Sequence, residues 1–265
     1  MTPGLVVRLV VFTVAGSALS GGASDLAEIK QRGKLRVLVV DGSPQFFSLT
    51  GDGAPGFDRE ILDGFARLQR IEVEVVRVAS WSALIPALLD KKGDLAAGGV
   101  TATEGRRKLV DFSAEVFPTR MVVITRKPHP RVETLEQLRS ARVGSVKGTS
   151  MQEALLAAKV PPANIDDSFP SGGLPAALRA GTITACLEGV EDAILAQRKD
   201  PEIETGLYLG PKQSLAFAAR RDQPELLAAL NDYLDKLRKT GAWSRLVVKY
   251  FGEGALEVLR KAQAP

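Results

Sequence analysis

The sequence holds a single cysteine, Cys186. No internal disulfide can form, and a thiolate metal cluster is excluded. Cys186 lies in an apolar run and reads as a small buried hydrophobe. Histidine is equally scarce. His129 stands alone between Pro128 and Pro130, a loop position poorly suited to a Ser-His-Asp triad, and one histidine cannot build a multi-histidine metal site. No metal or other cofactor is expected. Dense basic runs are missing too. Lys and Arg are scattered, the formal net charge is +4, and nucleic acid is not an expected partner. Beyond the N-terminus no segment approaches the length of a membrane span.

What remains is a globular balance, 45% hydrophobic and 25% charged over 265 residues, enough chain for one large domain or two modest ones. Residues 9–19 are apolar, follow Arg8, and give way to small residues ending at Gly21, Gly22 and Ala23. That pattern predicts a secretory signal peptide over residues 1–23, cleaved near Ala23, and hence export to the periplasm. No cysteine follows the apolar run, so a lipoprotein anchor is not expected.

The hydrophobic periods alternate. Leu35–Val40 is a β-branched run closed by Asp41, Gly42 and Pro44, a strand and turn. Apolar residues at 57, 61, 62, 65 and 68 mark one face of a helix. Residues 71–78 alternate as a strand, Ser80 can cap a helix to Asp90, and Leu95–Ala97 is a short buried strand. This is the βαβ rhythm of a mostly parallel sheet. It restarts after residue 126 with helices at 134–138, 149–158, 173–180 and 190–198 and strands at 141–146 and 182–187. Asp222 can cap a further helix with Pro224 in its first turn, Gly241 ends it, and Trp243–Tyr250 is the last helix expected. The fold class is therefore α/β, with two lobes joined by a two-strand hinge. Residues 24–124 and 212–251 form a discontinuous lobe 1, residues 125–211 form lobe 2, and residues 252–265 are left as a C-terminal tail. The crossing strands are expected at 120–126 and 207–219, and the cleft between lobes is the expected ligand site.

The most telling stretch is residues 98–113. Gly98, Gly99 and Val100 end a strand, hydroxyls follow at Thr101 and Thr103, then a guanidinium at Arg106, and Val110–Phe112 begins a new extended run. Donors and a fixed positive charge at a strand's end lie where open α/β sheets bind ligands. Arginine grips a planar carboxylate with two parallel bonds. Arg107 and Lys108 read as a solvated face.

With these residues in view, the chain resembles the family 3 periplasmic solute-binding proteins, the amino-acid receptors of bacterial import systems, over about residues 25–251. The resemblance rests on residues 33–40 with Pro44–Phe46, on Gly56–Asp58, on residues 81–88 with Gly93–Leu95, on Thr101–Arg106 with Val110–Ser113, on Gly144–Ser150, and on residues 180–186. It implies a type II periplasmic binding-protein fold and an extracytoplasmic receptor, not an enzyme. Such a receptor is a monomer that hands a small carboxylate-bearing solute, an amino acid or analogue, to an ABC permease in the inner membrane. It also implies roles. Arg106 would hold the ligand carboxylate, helped by Thr101 and the backbone of Gly99. Trp81 and Phe46 would wall the side-chain pocket, with core packing as the plainer alternative for both. Thr149 and Ser150 would clamp from the second lobe, where a helix start favours an anion, or Thr149 would serve as a plain N-cap.

The chain departs from the resemblance at one point. Amino-acid binders of this type place an aspartate for the ligand ammonium five residues after the position held here by Thr184, which is Gly189. Glu188 or Glu191 could reach the same point with a longer side chain; otherwise the ligand is not a standard α-amino acid. Asp192 falls near the proton-donating acid of cyclohexadienyl (arogenate) dehydratases, which share the fold, so a dehydratase is the competing enzyme reading. The second lobe also resembles the binding half of membrane-bound lytic transglycosylases, notably around Gln197–Glu202. Those proteins continue into a catalytic domain, whose activity is not expected of a chain ending at Pro265, and a sensor or accessory binding role is the third reading.

Overall fold

The computed structural model describes residues 25–50 and 53–262. The leader expected over residues 1–23 lies outside them. Helix α1 (Asp25–Arg32) runs into β1 (Lys34–Val40), whose apolar residues are all buried. Helix α2 (Phe57–Gln69) buries Phe57, Ile61, Leu62 and Phe65, four of the five positions on its expected apolar face, leaves the fifth, Leu68, exposed, and ends where Arg70 turns left-handed. Then come β2 (Glu72–Val78), α3 (Trp81–Leu89), β3 (Leu95–Ala97), the short α4 (Glu104–Arg107) and β4 (Asp111–Phe112).

Strand β5 (Phe117–Arg126) crosses to the second lobe. It is followed by α5 (Leu135–Ser140), closed by a capping box between Thr134 and Gln137, and β6 (Val143–Gly144). Helix α6 (Ser150–Ala157), β7 (Ile165–Asp166), α7 (Leu174–Arg179), β8 (Ala185–Gly189) and α8 (Val190–Lys199) complete the unit. Strand β9 (Ile203–Leu215) returns, and β10 (Ala218–Ala219), α9 (Pro224–Lys239), α10 (Ala242–Phe251) and α11 (Ala255–Ala262) end the fold.

Each lobe is built on a five-stranded sheet, ordered β2-β1-β3-β10-β4 in the first and β7-β6-β8-β5-β9 in the second. β1 pairs in parallel with β2 and β3, while β10 pairs antiparallel with β3 and β4. β6 lies parallel to β8, and β5 runs antiparallel to β8 and β9. The first core centres on Phe46, Phe57, Phe117 and Phe251, with Phe117 and Phe251 ring centroids 4.8 Å apart. Each such side chain contributes about 1.5–3 kcal/mol by leaving water.

Four expectations need correction. The sheet of the second lobe spans Phe117 to Leu215, beyond the 125–211 expected. The return segment 207–219 is not one strand, since β9 belongs to the second sheet and β10 to the first. The strand ends nevertheless remain tied to lobe 1, because Phe117 and Leu215 pack in its core. Residues 255–262 of the supposed tail form α11, with Ala255 and Leu259 buried in that same core. Gln223, not Asp222, is the N-cap of α9; Asp222 faces Arg220 and Lys91 instead.

Candidate ligand-binding cleft

Between the lobes lies a cavity of about 370 Å³. The nine residues assigned ligand-binding roles from the sequence line it, and so does Asp192. From lobe 1 come Phe46, Trp81, Gly99, Thr101 and Arg106; from lobe 2 come Thr149, Ser150, Glu188 and Glu191.

Arg106 sits in α4, whose first turn is capped by the Thr103 hydroxyl accepting from the Arg106 N–H. The residue is 8% exposed. Its guanidinium donates to the Thr101 carbonyl at 3.0 Å and, across the cleft, to the Gly148 carbonyl at 3.5 Å. No carboxylate forms a salt bridge with it among the described residues. Burial pulls its pKa down from the ordinary value, partly offset by the charge of Glu153. A buried cation held only by carbonyl dipoles has strong attraction to spare for an anion. Arg107, by contrast, is exposed and stacks over Phe112.

Gly98 and Gly99 take positive φ, 97° and 82°, so the backbone turns sharply into the cleft. Asp58 fixes that turn: its Oδ2 accepts both glycine N–H groups at 2.9 and 3.0 Å. Burial raises the Asp58 pKa to about 6. Phe46 is a core residue, 2% exposed, that also lines the cavity. It packs edge-on to Phe57 and Phe117, and it also lies beneath Gly99. Trp81 is only partly buried and donates across the cleft to Ser171 Oγ at 3.3 Å.

In lobe 2 the Thr149 hydroxyl is committed to the helix end. It accepts from Gln152 N–H and donates to the Val146 carbonyl at 2.7 Å. Ser150 is 4% exposed, and its hydroxyl donates to Thr101 Oγ1 at 3.0 Å, another bond between lobes.

The acidic wall is the strongest electrostatic feature. Glu191 is 1% exposed and accepts from Thr119 Oγ1 at 2.5 Å. Asp192 accepts from Gln45 Nε2, again at 2.5 Å and from the opposite lobe. Burial, then the charge of Asp192, raises the Glu191 pKa to about 8; burial raises that of Asp192 to about 6. Glu188 is pushed well above its ordinary value, first by burial and then by Asp192 and Glu191. A Cβ at Gly189 would lie 2.0 Å from Glu191 Oε1. The Glu191 carboxyl therefore fills the space beside the strand end that a side chain at 189 would need.

Sequence reasoning did not single out Gln45, Asp58 or Ser171 as site residues. Gln45 and Asp58 sit inside stretches already quoted for the resemblance; Ser171 lies in a loop with no local signal at all.

Residues 35–253 match the family described as bacterial extracellular solute-binding proteins, family 3. The chain belongs to that family. Its structure is similar to a mutant of ArgBP from T. maritima, with a TM-score of 0.78, 28% identity, and coverage of 86% of this chain and 99% of the other. An ancestral amino acid-binding protein, a precursor of cyclohexadienyl dehydratase, aligns at TM-score 0.76 and 26% identity over 86% of this chain and 100% of its own. The fold is thus the type II periplasmic binding-protein fold. Among curated proteins, a membrane-bound lytic murein transglycosylase F of Aeromonas salmonicida is 28% identical over 250 residues, 92% of this chain but 50% of that protein. The chain spans about half the length of the curated relatives it matches.

Proposed function

We propose that this family 3 protein is an extracytoplasmic receptor that closes its lobes on a small carboxylate-bearing solute of amino-acid type and delivers it to an ABC permease. The observation that carries the reading is Arg106, a buried guanidinium without a salt-bridged carboxylate among the described residues, in the same cavity as three acids. That arrangement complements a zwitterion. The ligand carboxylate would take Arg106, Thr101 and Ser150. The ammonium would take Glu191, which lies where the side chain missing at Gly189 would have stood. Trp81 and Phe46 would wall the remainder. The amino-acid receptors among its structural relatives support this reading, and the family's extracellular role supports a periplasmic site of action.

The test is calorimetry with amino acids chosen by a melting-temperature screen, since a specific ligand raises the melting point by mass action. Arg106→Ala is expected to weaken the selected ligand at least tenfold, about 1.4 kcal/mol or more, with the circular dichroism spectrum unchanged. Undiminished affinity would remove Arg106 from the site.

One observation favours a second reading. Carboxyls with raised pKa values lining the cleft suit general-acid catalysis, as a dehydratase requires. Prephenate or arogenate turnover by the purified chain would establish it; absence of product in the presence of a tight amino-acid ligand would leave the receptor.

A further inference from the structure

The receptor reading accounts for Arg106 and for one acid. It leaves a surplus of negative groups. A ligand carboxylate neutralises Arg106, and one ammonium neutralises Glu191. Asp192 is held by Gln45. Glu188 is left over: its carboxyl accepts no hydrogen bond from any described residue, and no cation figures among the charges acting on it. An ionised carboxylate in such surroundings is costly unless it is paired.

The position of Glu188 is distinct from that of its neighbours. Side chains alternate along a strand. On β8, Ala185 and Leu187 enter one core cluster of lobe 2, whereas Cys186 enters the other, against α7 and α8. Glu188 shares the face of Cys186. The cavity follows it there, bounded by Ile124, Leu174, Leu195 and Ile203. The cleft thus has an apolar side chamber with a carboxyl on its wall. Lys199 and Arg179, both exposed, stand at its edge.

We infer that the cleft selects a dibasic amino acid: the α-carboxylate on Arg106, the α-ammonium on Glu191, and an aliphatic stem through the apolar side chamber that brings a second ammonium to Glu188. This rests on the receptor reading and adds to it the class of ligand. Four apolar walls suit methylene groups, and the unpaired carboxyl suits the charge at their end. A metal ion is a poorer occupant, because no group of acids, histidines or cysteines among the described residues is arranged to hold one.

The groups that set the charge here are Glu188 and the buried Cys186 on β8, Glu191, Asp192 and Lys199 on α8, and Arg179 on α7. In the free protein burial holds the pKa values of Glu188, Glu191 and Asp192 above the ordinary carboxylate range. A cation favours their ionised forms, so its binding releases protons and tightens as pH rises. The second ammonium of lysine stays charged over this range.

The experiment is calorimetry of the full chain with L-lysine, L-norleucine and L-glutamine from pH 6 to 9. Lysine is expected to bind at least tenfold more tightly than norleucine or glutamine at pH 8, with an advantage that grows with pH. Glu188→Gln is expected to cut that advantage at least tenfold, with its melting transition confirming the fold. Norleucine or glutamine binding as tightly as lysine, or an advantage that survives in E188Q, would overturn the inference and leave the receptor reading intact. Failure of all three to bind would overturn the inference, and the wider melting-temperature screen would then decide the receptor reading.

Discussion

Glu191 shows how a single side chain is placed against its own preference. Folding buries its carboxyl beside Asp192, and the pKa rises from an ordinary carboxylate value to about 8. A group whose folded pKa is raised binds its proton more tightly in the fold than in the unfolded chain. Its contribution is therefore most favourable below the unfolded value and is lost as pH rises toward 8. Glu191→Gln removes the ionisation but keeps an acceptor for Thr119. The free variant should melt several degrees higher than the parent at pH 8 and within about a degree of it at pH 4, by scanning calorimetry. The same variant should bind its amino acid more weakly, a trade between stability and function seen where sites hold groups under duress. The site was partly legible in the sequence. Arg106 and Thr101 sit in one short run that a reader can see whole. Gln45 and Ser171 matter because they meet Asp192 and Trp81 across the cleft, and partners separated by 147 and 90 residues leave no local trace.

Among the elements, α2 could be read because its apolar positions fall on one face, and four of the five, all but Leu68, are buried. The segment 214–219 could not. Its alternation announces an extended chain but carries no mark of which sheet receives it, and the chain leaves one sheet and enters the other within that span. Helix α11 was missed for a different reason. Gly252 and Gly254 break the preceding pattern, and only the pair Ala255 and Leu259, four residues apart, reveals a buried face. Leu259→Ala should destabilise lobe 1 by about 2–4 kcal/mol in urea unfolding, the range for truncating a core leucine. A loss below about 0.5 kcal/mol would mean that α11 is dispensable to the core.

For the whole molecule, closure depends on backbones that approach without side chains between them. Gly148, at φ 79°, meets the start of α3: a Cβ there would stand 2.7 Å from Ser82 N. Gly42 meets Ser171 in the same way, with 2.2 Å to its Oγ. Gly148→Ala should hold the lobes apart, weaken the amino acid picked out by the melting screen at least tenfold, and abolish ligand-induced compaction in small-angle scattering. A variant that still contracts on binding would show that the lobes tolerate the methyl group.

The threading of the chain also bears on how the molecule is made. Strand β10 lies between β3 and β4, so β4 has no neighbour in its sheet until residues 218–219 have left the ribosome. Every strand of the other lobe has been synthesised by residue 215. The later half of the nascent polypeptide can therefore mature before the earlier half. The lobe that holds the earlier strands is the last to be completed, and it waits for helices α9 to α11 to seal it.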